Sequence, residues 1–189
     1  MDEASRRSMS GYFGIGIIGV SKAGNAGNLI RTANAFGAQF VFLVRPEFRR
    51  NVDKFDTAKS SSAIPVFEAG AFSELPLPQG AEVVGVELTD EAAELPRFAH
   101  PRRAVYVFGG ERISLPDDVM ATCQHIVKIP TKFSLNVATA GAIVMYDRFR
   151  ARQVKGDRPL WPGAPAPDPQ QHKHGGPIFR KGRPDEMTE

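Results

Sequence analysis

The chain has 189 residues, a length that suits one folded domain, and its 42% hydrophobic and 24% charged residues are ordinary for a globular protein. No apolar run is long enough to cross a membrane, the first residues lack the apolar stretch of a signal peptide, and the lone Cys123 can form no intrachain disulfide. We therefore expect a reducing, cytoplasmic location and no membrane partner. The formal net charge of +3 permits a nucleic-acid partner without requiring one.

Apolar runs alternate with segments of helical periodicity along most of the chain. In chain order, the pattern predicts strand 15–20, a turn at 25–27, helix 27–36, strand 40–44, helix 49–62, strand 65–67, strand 82–86, helix 90–95, strands 104–108 and 125–129, and helix 135–152. Strands separated by helices indicate an α/β fold, with a mainly parallel sheet and helices on both faces.

The composition changes after residue 150. We predict a folded domain over residues 1–154 and a mostly extended or disordered tail over 155–189, because prolines and glycines replace aliphatic residues there. The proline-rich run 162–169 can neither continue a helix nor join a central strand. The tail should therefore contribute little to a hydrophobic core.

Gly14, Gly16 and Gly19 have the G-x-G-x-x-G spacing of dinucleotide-binding loops. In that fingerprint the glycines follow a strand and open a helix, and an acidic residue lies about 20 residues further on. Here the glycines fall in and beside the predicted first strand, and 38–41 contains no acid, although Arg45 could hold a 2′-phosphate. Glycines in a buried strand more often mark close backbone packing, but an NADP-dependent reductase stays open as an alternative.

Three short stretches place polar or charged side chains at the edges of apolar runs. They are Asn-Ala-Gly-Asn-Leu-Ile-Arg-Thr-Ala at 25–33, Val-Phe-Gly-Gly-Glu at 107–111, and Ile-Pro-Thr-Lys-Phe-Ser-Leu-Asn-Val-Ala at 129–138. Each alone has an ordinary structural explanation: a surface arginine at 31, a tight turn at 109–110, and a helix N-cap at Ser134. Ligand sites of parallel sheets lie at the carboxyl ends of strands, where two glycines also let a flat ligand approach backbone amides.

In this order and with these flanks, the three stretches resemble the three motifs of the SpoU/TrmH family of RNA ribose methyltransferases, which belong to the SPOUT superfamily. The resemblance covers about residues 15–150, and the loop 131–133 is shorter than in many relatives. It implies an α/β knot with a deep C-terminal trefoil, a homodimer, S-adenosyl-L-methionine as cofactor and no metal. The implied reaction is 2′-O-methylation of ribose in tRNA or rRNA.

The resemblance also assigns roles to individual residues. The implied catalytic residues are Arg31 and four residues that would position substrate and loop, namely Asn25, Glu111, Ser134 and Asn136. The implied cofactor-binding residues are Phe108, Gly109, Gly110, Ile129, Pro130, Ser134 and Leu135. Because no separate RNA-binding domain is evident, RNA should contact basic residues of the first third of the chain, namely Lys22, Arg31, Arg45, Arg49, Arg50, Lys54 and Lys59. The pKa of an arginine is too high for an easy base, so we expect Arg31 to act through its charge or by anchoring a phosphate.

Two further alternatives remain open at this point. A catalytically silent RNA-binding dimer could keep the knot for structural reasons alone. Related knotted enzymes methylate bases, and Cys123 could then serve as a nucleophile, although a lone cysteine before a strand is more often buried and inert. The sequence does not name the RNA or the nucleotide.

Overall fold

The computed structural model describes residues 11–48 and 63–153, which form a seven-stranded sheet and its covering helices. The strands are β1 Tyr12–Ile18, β2 Phe40–Val44, β3 Val66–Ala69, β4 Glu82–Val86, β5 Ala93–Glu94, β6 Arg103–Gly109 and β7 His125–Lys128. The helices in these ranges are α1 Ala23–Ala35, α2 Asp117–Met120 and α3 Val137–Gln153, with 3-10 turns at Phe72–Glu74 and Leu95–Arg97. None of these helices is both long enough and apolar enough to span a bilayer.

The strands are ordered β3-β2-β1-β6-β4-β7-β5, and every neighbouring pair runs parallel. The predicted α/β architecture with a parallel sheet is therefore confirmed. At the centre, β6 pairs with β1 on one side and with β4 on the other. The register sets Gly109 beside Ile18, and Phe108 beside Val86, so the carboxyl ends of these three strands meet at one edge of the sheet.

Side chains of the strands alternate between two faces of the sheet, as the two-residue period of a strand requires. In β6, Tyr106 and Phe108 pack with the buried residues of α1 and α3, whereas Val105 and Val107 pack with Phe72 and with residues around α2. The longer helices thus cover one face, and the single-turn α2 and a 3-10 turn lie on the other. Both faces of the sheet are buried, which explains why the sequences of the strands are nearly continuous apolar runs.

Strand predictions were the most accurate, since 40–44 and 82–86 match the observed bounds at both ends. The predicted turn at 25–27 is wrong, because α1 already begins at Ala23 and contains both Asn25 and Gly27. The N-cap of α1 is Lys22, whose side chain makes no capping hydrogen bond. This helix start therefore carries none of the usual Ser, Thr, Asp or Asn signal.

The helix predicted at 90–95 is also wrong. The segment forms the two-residue strand β5 and then a 3-10 turn with Pro96 near its start. Proline lacks an amide hydrogen and disfavours the α conformation of the residue before it, so the helix cannot extend through this point. The predicted helix 49–62 and the predicted tail 155–189 lie outside the described residues.

The last helix is anchored at the amino end of the sheet by Arg148, which is only 3% exposed. Its guanidinium donates hydrogen bonds of 2.7–3.2 Å to the carbonyls of Pro101, Arg102 and Tyr12 and to the hydroxyl of Tyr106. The same guanidinium lies 5.1 Å from the centre of the Phe13 ring, a cation–π contact.

The neighbouring His100 continues this polar network. One ring nitrogen lies 2.6 Å from the Tyr106 hydroxyl, and the other lies 3.0 Å from a carboxylate oxygen of Asp147. Buried polar atoms are costly unless they are hydrogen-bonded, and here the chain itself supplies the partners. The network connects the carboxyl-terminal half of α3 to β1 and β6, and so fixes that half of the helix against the amino end of the sheet.

Candidate active site

A cavity of about 510 Å³ lies at the carboxyl ends of β4 and β6, beside the loop that follows β7. Roughly 300–1,000 Å³ is the usual range for small-molecule sites. Its walls come from the end of β4, the turn after β6, and the 128–137 segment that leads into α3. This is the edge of the sheet at which parallel α/β proteins bind their ligands.

Six of the residues implied to bind the cofactor line this cavity: Phe108, Gly109, Gly110, Ile129, Ser134 and Leu135. Pro130, the seventh, is exposed and is not part of the lining. The second and third sequence stretches therefore converge on one space, although they are separated by α2 and β7 along the chain.

The two glycines at the end of β6, Gly109 in the strand and Gly110 directly after it, are required by the packing of the protein itself. A Cβ on Gly109 would lie 2.5 Å from the carbonyl oxygen of Ile113, and one on Gly110 would lie 2.2 Å from that of Gly19. The close packing gives these glycines a second reason to lack side chains, beside the predicted approach of a ligand to their backbone. Their backbone still borders the cavity, but the missing side chains allow the turn to close on its own loop and on the end of β1.

Glu111 is held by hydrogen bonds from the segment that follows β1. One carboxylate oxygen accepts bonds of 2.9 Å from both the amide and the hydroxyl of Ser21, and the other accepts a bond from the side-chain amide of Asn25. Partial burial alone would raise the pKa of Glu111, but these hydrogen bonds outweigh it and lower the pKa below its ordinary value. A carboxylate so stabilised is a weaker base than an ordinary one, and it holds the side-chain amide of Asn25 by a hydrogen bond.

Asn25 in turn connects the first stretch to the third. Its side-chain oxygen accepts a 3.0 Å hydrogen bond from the side-chain amide of Asn136. Asn25 is 8% exposed, so its geometry is set by these two partners, Glu111 and Asn136. Residues from all three stretches are thereby joined in one chain of hydrogen bonds along the wall of the cavity.

Asn136 also caps α3. Its side-chain oxygen accepts hydrogen bonds of 3.0 and 3.3 Å from the amides of Ala138 and Thr139, as an N-cap residue does. The prediction that Ser134 is the N-cap is wrong, because α3 begins at Val137 rather than at 135. Ser134 is instead exposed and lines the cavity, where its hydroxyl is available to a ligand.

Arg31 is not among the residues that line the cavity of its own subunit. It is exposed on α1, about 9 Å along the helix axis from Asn25 at 1.5 Å per residue. Of the other residues implied to bind RNA, Lys22 is exposed and lines the cavity, and Arg45 is exposed directly after β2. Arg49, Arg50, Lys54 and Lys59 lie outside the described residues.

Sequence reasoning missed Glu87, the residue directly after β4. It lines the cavity, and its two carboxylate oxygens accept hydrogen bonds of 2.8 Å from the amide of Leu115 and 2.9 Å from the amide of Leu88. Glu87 therefore fastens the end of the 109–115 loop to β4. Its position at the carboxyl end of a central strand was the available signal.

The glycine run that suggested a dinucleotide loop serves packing. Gly14 and Gly16 lie inside β1, where a Cβ would come within 2.5 Å of the Phe40 ring or the Phe42 backbone and ring. Gly19 has a φ of 68°, which glycine adopts without strain, and its amide donates to the carbonyl of Val44. The NADP-dependent reductase therefore loses the feature that motivated it.

Cys123 is half-buried on the face of the sheet that α2 covers. Burial raises the pKa of its thiol to about 11, and the thiol donates to the carbonyl of Val119. A thiol with this pKa is almost wholly protonated at neutral pH, and the thiolate is the nucleophilic form. Base methylation through Cys123 is thus unsupported by the structure.

An α/β fold with a cavity at the carboxyl ends of central parallel strands is typical of proteins that bind nucleotides or related cofactors. Residues 13–146 match the model of the SpoU rRNA methylase family, and the chain belongs to that family. The tRNA (guanosine(18)-2′-O)-methyltransferase of Escherichia coli K12 is 27% identical over 143 residues, which are 72% of this chain and 62% of the relative. The tRNA (cytidine/uridine-2′-O-)-methyltransferase TrmJ of Sodalis glossinidius is 26% identical, over 69% of this chain and 58% of the relative. The chain thus spans about three-fifths of the length of these relatives.

Solved structures show the same relationship. An rRNA methyltransferase from Sinorhizobium meliloti with bound AdoMet superposes with a TM-score of 0.67 and 26% identity, over 74% of this chain and 56% of that one. A protein studied for the 2-OH methylation of C/U34 on tRNA superposes with a TM-score of 0.65 and 26% identity, over 75% of this chain and 97% of that one.

Proposed function

We propose that this protein is an S-adenosyl-L-methionine-dependent RNA methyltransferase that methylates the ribose 2′-hydroxyl of tRNA or rRNA. The observation that carries the proposal is the hydrogen-bonded chain Glu111–Asn25–Asn136, which joins the three family motifs beside one cavity. Membership of the SpoU rRNA methylase family, the ribose methylation named for the relatives, and the AdoMet bound by the Sinorhizobium meliloti structure all support it.

The residues around the cavity fit such a cofactor. Phe108, Ile129 and Leu135 supply apolar surface, and the turn at Gly109 and Gly110 brings backbone close to the space where a ligand would lie. We assign these residues to cofactor binding, with Ser134 as a polar contact. The cofactor would contribute an electrophilic methyl group on a positively charged sulfur. A cavity that excludes water favours a transfer in which opposite charges are neutralised.

The remaining motif residues would orient the RNA and the loops. Glu111 holds Asn25, and Asn25 holds Asn136, so the wall of the cavity is fixed before substrate arrives. Arg31 would act on the ribose hydroxyl or a neighbouring phosphate through its charge. Its place on α1, away from the lining of its own cavity, supports a homodimer in which Arg31 serves the partner's cavity.

The finer features of the family are part of this proposal. They comprise a deep C-terminal trefoil knot, a homodimer, a domain over residues 1–154, and a cytoplasmic location without metal or membrane partners. The domain boundary can be tested by truncation after Lys155. We expect the shortened protein to unfold cooperatively and to bind cofactor with unchanged affinity, as measured by calorimetry. An insoluble truncated protein would show that the tail packs on the domain.

Isothermal titration with S-adenosyl-L-methionine tests the cofactor, and transfer of labelled methyl groups to bulk tRNA and rRNA tests the reaction. We expect one saturable site per subunit and label in 2′-O-methylated nucleosides after digestion of the RNA. Label in base-methylated nucleosides would replace ribose by base as the target. RNA binding without cofactor binding would favour a catalytically silent RNA-binding dimer, and saturable NADPH binding would revive the reductase.

Mixed dimers test Arg31. The Arg31→Ala protein should bind cofactor normally and lose methyl transfer, because the residue lies outside the cavity lining. Mixing it with a Gly110→Ala protein, at a cofactor concentration too low to fill the weakened Gly110→Ala cavity, should restore part of the activity if the arginine acts across the dimer. A fully active Arg31→Ala enzyme would exclude the role. An inactive mixture would assign arginine and cavity to the same subunit.

A further inference from the structure

Phe133 is the most exposed large apolar side chain of the described residues, at 75%. It lies in the short loop between β7 and α3, and this loop has an ordered turn. The hydroxyl of Thr131 donates to the carbonyl of Phe133 at 2.9 Å and lies 3.4 Å from that of Ile129. The ring is therefore presented to solvent from a fixed backbone rather than from a buried position.

The place of this ring relative to the cavity is well defined by its neighbours. Thr131 and Ser134, on either side in the sequence, both line the cavity, whereas Phe133 does not. The largely exposed ring therefore lies beside the cavity, between two residues of its lining in the chain, and not inside it.

Positive charge surrounds the rim of the cavity. Lys132 precedes the ring and is exposed, and Lys22 and Arg112 are exposed residues of the cavity lining that come from two other segments. The lining also contains the carboxylates of Glu87 and Glu111, but these two are outnumbered by the cations of Lys22, Arg112, Lys128 and the neighbouring Lys132. A polyanion can approach this rim, and an aromatic ring among cations is the combination with which proteins bind single-stranded nucleic acid.

We propose that Phe133 is a stacking platform for a nucleobase of the substrate RNA, next to the nucleotide whose ribose enters the cavity. The proposal rests on the proposed function and adds how the RNA is held. Lys132 would contact the phosphate beside the stacked base. Single-stranded RNA is commonly held in this way, with unpaired bases on aromatic side chains.

A second copy of this chain is the main rival occupant of the ring. The proposed dimer would bring the partner's Arg31 to the same cavity, but the residues immediately around Phe133 are polar and exposed, namely Thr131, Lys132 and Ser134. Interfaces between subunits have an apolar core depleted of charged residues, and one ring within a polar, basic loop does not provide one. The charge of the rim is complementary to RNA.

The test measures binding of the full-length protein to a short fluorescent oligoadenylate and to an abasic ribose-phosphate strand of the same length. Phe133→Ala should weaken oligoadenylate binding by about tenfold, as expected for loss of one stacked base, and leave binding of the abasic strand unchanged. Phe133→Trp should keep wild-type affinity, and Phe133→Leu should not, since it retains apolar surface without a ring. Phe67→Ala, an exposed phenylalanine on the edge strand β3, is the matched control and should bind as wild type does.

Four outcomes would overturn the platform. The first is an unchanged affinity of Phe133→Ala for oligoadenylate, and the second is an equal loss of its affinity for the abasic strand. The third is wild-type oligoadenylate affinity in Phe133→Leu. The fourth is a smaller mass of Phe133→Ala in sedimentation, which would assign the ring to a contact between copies of the chain. Wild-type protein that binds S-adenosyl-L-methionine but neither strand would overturn the RNA part of the proposed function as well.

Discussion

The two ends of the central strand β6 carry two polar networks with opposite character. At the amino end, the guanidinium of Arg148 is enclosed by backbone carbonyls and the Tyr106 hydroxyl. At the carboxyl end, Glu111, Asn25 and Asn136 are also hydrogen-bonded to one another, but Glu111 and Asn136 border an open cavity. Buried polarity alone therefore does not identify a functional site. The distinguishing feature is a polar network beside space that a ligand can fill.

The largest effect on stability should come from the buried network around Arg148. Arg148→Ala would remove a donor from the carbonyls of Pro101 and Tyr12, and from that of Arg102, which keeps the amide of Tyr12. It would also leave a void beside the Phe13 and Tyr106 rings. We expect the free energy of unfolding to fall by about 3 kcal/mol, measured by denaturant titration. Arg150→Ala, which removes an exposed arginine of the same helix, should change it by less than about 0.5 kcal/mol. A stable Arg148→Ala protein that had lost cofactor binding would reverse the roles of the two ends.

The next largest effect should come from a substitution in the turn at the carboxyl end of β6, beside the cavity. A Cβ at Gly110 would lie 2.2 Å from the Gly19 carbonyl, so Gly110→Ala must separate the turn from β1. We expect affinity for S-adenosyl-L-methionine to fall by at least about tenfold, or about 1.4 kcal/mol, with a smaller loss of thermal stability. Gly70→Ala is the control, because its Cβ would meet only the flexible Glu74 side chain. Equal cofactor affinity in both variants would mean that the turn does not shape the site.

A Glu87 variant tests whether the cavity depends on the hydrogen bonds by which Glu87 holds the neighbouring loop. Glu87→Ala would leave the amide of the buried Leu115 without its acceptor, so we expect stability to fall by about 1–2 kcal/mol. The released loop should also weaken cofactor binding several-fold, as read by calorimetry. Glu87→Gln keeps one side-chain oxygen as acceptor and should recover most of the affinity. If glutamine were as damaging as alanine, the negative charge rather than the hydrogen bond would be the important property.

The smallest effect is a pH dependence at the open end. Because the folded protein lowers the pKa of Glu111, this residue stabilises the fold above the pKa that it has in the unfolded chain. That stability is lost as the pH falls through its folded pKa. Glu111→Gln should therefore be less stable than wild type by about 1 kcal/mol at neutral pH, and the melting temperatures should converge on acidification. The exposed Glu91→Gln should follow wild type throughout, and a gap that widened in acid would contradict the lowered pKa.

Local sequence patterns predicted the sheet, and the family resemblance named most residues of the cavity wall, but neither predicted the contacts between them. Strands such as 40–44 are apolar on both faces, and residues at the end of a strand, such as Gly109, were assigned to a site by the strand-end rule. The choice of Asn136 over Ser134 as helix cap was not predictable, because both residue types cap well and only the tertiary bond to Asn25 selects one.

Arg148 illustrates the same limit in the core. In the sequence it stands close to Arg150 and Arg152, and nothing in this local run marks which arginine is buried. Its burial depends on carbonyls at the starts of β1 and β6, which are distant in sequence. A side chain whose partners are backbone atoms of remote strands leaves no periodic signal for local reasoning to find.

The strand order also has a consequence for how the chain folds. The central strand β6 is the sixth to be synthesised, and it joins β1 to β4 by pairing Tyr12 with Arg103 and Glu82 with Ala104. Before β6 is synthesised, β1 and β4 have no strand in common. The long segment between β1 and β6 must also close into a loop, at a cost in chain entropy, before pairing of these strands stabilises the fold. The nascent chain therefore cannot connect β1 to β4 on the ribosome before residue 109 has emerged, and the sheet is complete only when β7, which pairs with β4 and β5, has emerged as well. Folding should be slow for a domain of this size, and β1 and β4 should acquire protection from hydrogen exchange together.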